Sequence, residues 1–251
     1  MRWHDLLFAH WPVEAGVLRP LVPTGLEIET FDGMAWVGVV PFRMSGIRIR
    51  HCPPIPSTRA FPEINVRTYV RPAGAVGEDA RGVWFFSLDA SSRMAVRAAR
   101  RWYGLPYRHA RFRLRRALNI GVGSNAGGGA ATATQVRPGL DYECDRTEPR
   151  SASARFDATY GPCGPPFRAR AGSLDRFLTE RYRLFTMRDG RLLAVAIHHV
   201  PWPLQPAQAD IRTNTMTDAI GITLPAPPPL LHFAHRLDVL AWRPEAIEIV
   251  A

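Results

Sequence analysis

Proline and glycine interrupt this chain too often for long helices to fit between them. Its 251 residues hold 23 prolines and 20 glycines spread through every segment, and each of these residues breaks or weakens a helix interior. Short strands joined by turns are what such punctuation permits. LEIETF (26–31) and AWVGVVPFR (35–43) flank Asp32-Gly33, a hairpin signal. PEINVRTYV (62–70) and GVWFFSLDA (82–90) are rich in β-branched and aromatic residues, as strands are. A proline-rich loop, HCPPIPS, lies between these pairs at 51–57. The run 181–200 predicts a further hairpin turning at Asp189-Gly190, and HRLDVLAW one last strand. PWPLQPAQ and LPAPPPLL read as irregular. Helix signals are few. SSRMAVRAARRWY (91–103) has Asp89 and Ser91 near its start as caps and Gly104 as its stop, and SLDRFLTE (173–180) predicts a second, shorter helix. The expectation is one mostly antiparallel β domain (α+β) over 1–251 with two or three short helices. The glycine-rich stretch 121–133 reads as a flexible insertion.

Composition narrows the function classes. Hydrophobic content of 46% and charged content of 22% are those of a globular protein. No stretch approaches the roughly 20 apolar residues of a membrane span, and the N-terminus lacks a secretory apolar core. The expected setting is cytoplasmic, with no membrane partner. The formal charge of +10 invites nucleic acid, but the arginines form no tail or stripe and no nucleic-acid motif accompanies them. The expected partner is instead a small anionic or carbonyl-containing molecule, because guanidinium forks bind carboxylates in two-point fashion. A homo-oligomer stays open. Cys52, Cys144 and Cys163 are odd in number and widely spaced, so they predict free thiols rather than disulfides or zinc. His198 and His199 end a strand, one facing in and one out. The histidines show no metal-site spacing, so neither a metal nor a cofactor is expected.

The most informative strand is 62–70. Side chains alternate across a strand, so Ile64, Val66, Thr68 and Val70 form an apolar face. Glu63, Asn65, Arg67 and Tyr69 form a polar one. That polar face either meets solvent or lines a cavity inside a closed barrel. In a barrel, desolvation would raise the Glu63 pKa unless Arg67 paired with it and pulled it down.

HWPVEAGVLRPLVPTGLEIETFDGMAWVGVVPF, FPEINVRTYV, GVWFFSLDA, RRWYGLPYRHA, FLTERYRLF and HHVPWPLQPA together resemble the YqjF-like family, a bacterial group near acetoacetate decarboxylase. The resemblance implies a decarboxylase-like cone-shaped antiparallel β-barrel with flanking strands, a fold able to enclose one ligand. Glu63 lies on a strand resembling the one that supplies the decarboxylase's active-site glutamate. YGLPYRHA resembles that enzyme's loop carrying two consecutive lysines, the first of which forms a Schiff base. Here Tyr107 and Arg108 stand at those two positions.

The departure decides the chemistry. All 32 residues of the Lys+Arg count are arginine, and a guanidinium does not form imines. Schiff-base decarboxylation is therefore excluded. What remains is a cofactor-independent, lyase-like enzyme for a small organic acid or carbonyl compound: decarboxylation without an imine, dehydration, retro-aldol cleavage or cyclisation. Glu63 and Tyr107 are the candidate proton-handling residues. Nearby arginines are expected to lower the Tyr107 pKa. Arg67, Arg108, Asn65, Tyr69, His10 and Arg181 are the candidate substrate-binding residues. A non-catalytic sensor or carrier using the same pocket is the alternative.

Overall fold

The computed structural model describes residues 1–47, 60–117, 139–228 and 230–247, and nearly every element in it is a strand. In chain order these are β1 (Arg2–Val13), β2 (Leu26–Ile28), β3 (Ala35–Ser45), β4 (Ala60–Pro72) and β5 (Gly82–Ala90). β6 (Tyr107–Ala117), β7 (Gly139–Arg146), β8 (Arg155–Pro162), β9 (Arg183–Arg188) and β10 (Arg191–His198) follow. The last are β11 (Gln205–Asn214), β12 (Leu230–Asp238), β13 (Leu240–Ala241) and β14 (Glu245–Ala246). The helices are short: α1 (Ala15–Leu18), α2 (Arg93–Tyr103) and α3 (Leu174–Thr179). The proline-rich loop 51–57, Cys52 and the glycine-rich stretch 121–133 lie outside the described residues.

Strand pairing closes the sheet into a ring of nine, β5-β6-β7-β8-β11-β12-β1-β3-β4, with β4 returning to β5. All pairings are antiparallel except β5 with β6 and β5 with β9. One core cluster takes side chains from every part of the ring. Ala9, Val37, Val66, Tyr142, Phe156 and Phe233 belong to it, so it is the ring's interior. Cys144 sits in this core as a buried free thiol.

The other face of β12, β1, β3, β4 and β5 is enclosed as well. β9 continues the sheet from β5, β10 pairs β9, and β13, just beyond the end of β12, pairs β10. This second enclosure holds its own core of Phe8, Val40, Leu88, Val195 and Trp202, with Val96 of α2 and Phe177 of α3 packed in.

Several sequence expectations are corrected. The Asp32-Gly33 turn forms, with both residues at positive φ and a bridge from Phe31 to Met34. The strand before it, however, pairs with β4 and not with β3. β4 is 13 residues long and β3 reaches only Thr68 on its edge, so β2 occupies the remainder. The Asp189-Gly190 hairpin and α3, capped by Ser173, form as expected. The 91–103 helix is capped by Ser92, whose side chain accepts from the Ala95 amide; Asp89 stays in β5. PWPLQPAQ and LPAPPPLL are not irregular throughout, since Gln205 opens β11 and Leu230 opens β12. Pro206 is tolerated because it is only the second residue of its strand.

Candidate functional site

The polar row of β4 does not face the ring's interior, and only Arg67 in it keeps partial contact with solvent. Ile64 and Val66 point into the ring, and alternation sends Glu63, Asn65, Arg67 and Tyr69 into the second enclosure. Glu63, Asn65 and Tyr69 are all buried there. Across the sheet the row is flanked by Phe42 and Ala90 at Glu63, Val40 and Leu88 at Asn65, and Gly38 and Phe85 at Arg67. The register with β5 skips Phe86 between Val66 and Arg67, a bulge that sets Phe85 opposite Arg67.

Tyr107 is delivered to Glu63 by the turn after α2. Gly104 ends the helix in the left-handed region at φ 67°, and Leu105 and Pro106 then lead into β6. Tyr107 is the first residue of that strand, not part of a loop. Arg100 of α2 fastens the backbone there, donating to the Tyr107 carbonyl from Nε at 2.9 Å and Nη2 at 2.6 Å. The small side chain of Ala90 on the intervening strand leaves the gap across which the Tyr107 hydroxyl donates to Glu63 Oε2 at 2.9 Å.

Burial governs the charge state of this pair. It pushes the Glu63 carboxyl up to about 8; the hydrogen bond from Tyr107 opposes the rise, and nearby Asp89 adds to it. The Tyr107 phenol is raised well above its ordinary value, first by burial and then by Glu63. This overturns the expectation that arginines would lower it, because Arg100 and Arg108 engage the Tyr107 carbonyl rather than its hydroxyl.

Arg67 does not pair with Glu63. Among the described residues it has neither an ion pair nor a hydrogen bond, and its buried Nε has no partner. Its guanidinium lies 5.4 Å from the Phe8 ring centre and 5.8 Å from that of Tyr69, in cation–π geometry. Asn65, one pleat away, also makes no side-chain hydrogen bond among the described residues, and its Oδ1 is buried.

Beside Arg67, His10 Nε2 meets the Tyr69 hydroxyl at 2.6 Å. Gly38 makes this contact possible: a Cβ there would lie 3.1 Å from His10 Cδ2 and 3.3 Å from the Tyr69 oxygen. Burial, then Arg67 and His232, hold His10 well below its ordinary pKa, so its ring is neutral at pH 7. Its Nδ1 is buried without a partner.

Two sequence candidates behave differently from expectation. Arg181 caps α3 by donating to the Phe177 carbonyl at 2.7 Å, and it pairs with Glu29. It still lies 5.0 Å from the Tyr69 ring centre, with Nη2 unpartnered. Arg108 does not join the site. Alternation along β6 turns it away from the Tyr107 hydroxyl, and its Nη1 donates to the Tyr107 carbonyl. Of the histidine pair, His199 is buried and His198 exposed.

Sequence reasoning missed His232 and Trp202. His232 stands opposite Phe8 in the sheet; its Nε2 contacts Asp175 at 3.0 Å and its Nδ1 has no partner. Trp202 packs edge-on to Phe8 at 5.0 Å, with its indole N–H buried and unpartnered. His232 lay hidden in a proline-rich stretch, although the alternation in LLHFAH carried its signal. Among the described residues no three metal-ligating side chains come together. A separate cleft of about 310 Å3, with walls including Trp84, Phe85, Pro106, Phe185 and Met187, opens where β6 and β9 part from β5. Glu63, Asn65 and Arg67 do not line it.

Solved structures with this fold are acetoacetate decarboxylase-like proteins. The enduracididine biosynthesis enzyme MppR, complexed with the condensation product of pyruvate and imidazole 4-carboxaldehyde, aligns with a TM-score of 0.58 at 13% identity, over 98% of this chain and 89% of its own. Acetoacetate decarboxylase from Legionella pneumophila aligns with a TM-score of 0.55 at 13% identity, over 99% and 88%. In sequence, the chain is 45% identical to the uncharacterized protein YqjF of Bacillus subtilis (strain 168) over 240 residues, covering 96% of this chain and 88% of that one. Residues 1–238 match the profile of the family described as "Uncharacterized conserved protein", and the chain belongs to that family, DUF2071.

Proposed function

We propose that this protein is a cofactor-independent enzyme of lyase type acting on a small organic acid or carbonyl compound, with Glu63 as the proton-transfer group and Tyr107 as its hydrogen-bonding partner. The observation that carries the reading is the buried Tyr107–Glu63 hydrogen bond around a carboxyl whose pKa is pushed up to about 8. A general acid works best with a pKa near the working pH. At pH 7 Glu63 holds its proton and can give it to a departing hydroxyl, which leaves as water. The resulting carboxylate can then take the proton from the neighbouring carbon while the C–H electron pair forms the double bond, so the residue ends as it began. Retro-aldol cleavage runs the exchange in reverse: the carboxylate form takes the hydroxyl proton as the carbon–carbon bond breaks and returns it to the departing enolate carbon, while a cyclisation that loses water follows the forward order. Tyr107, whose phenol stays protonated, donates a hydrogen bond and does not act as base. Arg67 holds the substrate's anion.

The substrate class has support from MppR, which has been solved with pyruvate bound and shares the fold. A carrier or sensor role is the second reading, favoured by the absence of any lysine nucleophile. Solvent exchange separates the two. In deuterium oxide, with a panel of three- to six-carbon keto acids that includes pyruvate, the parent protein is expected to move deuterium onto the carbon beside the carbonyl of at least one of them. Glu63→Gln and Tyr107→Phe should each slow this by about 100-fold or more. Unchanged exchange in both variants would refute the assignment, and binding without exchange in the parent would favour the carrier.

A further inference from the structure

The order of groups along β4 carries information about the ligand's shape. Three successive residues on this face present a cation (Arg67) and an amide (Asn65) that have no hydrogen-bond partner among the described residues, and a carboxyl (Glu63) that accepts from Tyr107 and keeps its proton at pH 7. They sit two residues apart, or roughly 6.6 Å from one to the next along the strand. Buried polar groups are almost always hydrogen-bonded in native proteins, and leaving one unmade is costly. Among the described residues, Arg67 Nε, His10 Nδ1 and His232 Nδ1 are buried without partners toward the Arg67 end of the row. The indole N–H groups of Trp202 and of Trp3, which packs on Phe42 beside Glu63, are likewise buried without partners toward the other end. His10 and His232 are two residues apart across the β1–β12 pair, and Phe8 packs against both Arg67 and Trp202. Arg67 Nε and the indole N–H groups donate and His10 Nδ1 can, so the occupant they suit is rich in acceptors; His232 Nδ1, on a ring whose Nε2 donates to Asp175, accepts instead. Asn65 Oδ1 likewise only accepts, and a hydroxyl would satisfy it.

The geometry points to a hydroxy acid or its keto form bound in one direction along the strand. Its carboxylate lies against Arg67 and His10, its oxygen function two or three carbons away meets Asn65, and its reacting carbon lies toward Glu63 and Tyr107. This orientation rests on the acid–base reading above and sharpens it. The carboxylate is held at the end of the row remote from the proton-transfer pair, so the reaction is water loss, aldol cleavage or cyclisation at a distal carbon, and this carboxylate is not released as carbon dioxide.

Calorimetric titration of the full chain at pH 7 with 3-hydroxybutyrate, butyrate and butane-1,3-diol tests it. The hydroxy acid is expected to bind most tightly, with butyrate about tenfold weaker and the diol weaker still. Arg67→Met keeps the alkyl stem on Phe8 and removes the charge. It should weaken both acids about tenfold or more while leaving the diol unchanged. Asn65→Ala should bring 3-hydroxybutyrate down to butyrate. Equal affinity for all three probes, or acid binding by Arg67→Met at the parent level, would overturn the orientation, as would a site that holds only water and binds none of them. Glu63→Gln is expected to bind 3-hydroxybutyrate within about twofold of the parent. If the binding pattern holds while Glu63→Gln keeps full deuterium exchange, the acid–base reading fails and the binding site stands. If exchange is lost in Glu63→Gln but the probes bind equally, the reverse is true.

Discussion

At the scale of single residues, Glu63 makes the stability of the protein depend on pH in a direction opposite to that of an ordinary surface carboxylate. In the folded chain its carboxyl keeps its proton up to about pH 8, against an ordinary 4.5. Between those two values folding takes up a proton that the unfolded chain has released. Stability therefore falls as pH rises through this window and levels off above it. Measured against Glu63→Gln, which cannot ionise, the urea midpoint of the parent is expected to fall between pH 5 and pH 8, the histidine contributions being common to both. Tyr107→Phe removes the hydrogen bond that holds the Glu63 pKa down, so it should move the alkaline end of the slope upward. A parent-minus-Glu63→Gln difference that rises over this range would contradict the assignment.

Among the elements, the segment 100–110 shows how a short motif can position one atom. α2 ends because Gly104 adopts a conformation that side chains disfavour, and a Cβ there would lie 2.9 Å from the Met187 carbonyl oxygen of β9. The same residue thus sets the helix stop and the close approach of β9. Gly104→Ala is expected to cost about 1–3 kcal/mol in urea unfolding and to weaken deuterium exchange by displacing Tyr107. Gly16→Ala in α1, where a Cβ would meet nothing within 4 Å, is the control and should be close to neutral. The helix stop and the Ser-rich start were legible in the sequence. The strand β6 was not, because five of its eleven residues are arginines. In the sheet, Arg111, Arg113 and Arg115 stand opposite Asp145, Glu143 and Asp141 of β7, so charge pairing across strands accommodates the basic residues.

For the whole molecule, the nine-stranded ring contains a buried ion pair that joins strands distant in sequence. Arg146 of β7 donates to Asp89 of β5 through Nε at 2.7 Å and Nη2 at 2.8 Å, and to Ser87 at 3.1 Å. Asp89 is fully buried and the Arg146 side chain nearly so. Removing one partner strands a buried charge, so Arg146→Met is expected to cost about 3–5 kcal/mol. Arg212, on the ring's outer surface beside Asp157 and Asp210, belongs to an exposed network. Arg212→Ala should cost less than about 1 kcal/mol. Chemical denaturation of the two variants side by side checks the contrast.

The local pattern of the chain alone specified the strands 62–70 and 82–90, both short helices, the Asp189-Gly190 hairpin and the two faces of β4, because alternation and capping are set by neighbouring residues. The absence of lysine ruled out imine chemistry without any coordinates. Tertiary structure decided what those faces meet. Only the closure of the sheet makes the polar row of β4 an interior surface, and only packing separates Arg67 from Glu63 while bringing Tyr107 to it. His232 and Trp202 join the row from strands and turns some 140 residues or more along the chain, a proximity that no local pattern encodes, since it arises from long-range pairing of β1 with β12 and the burial of Trp202 against Phe8.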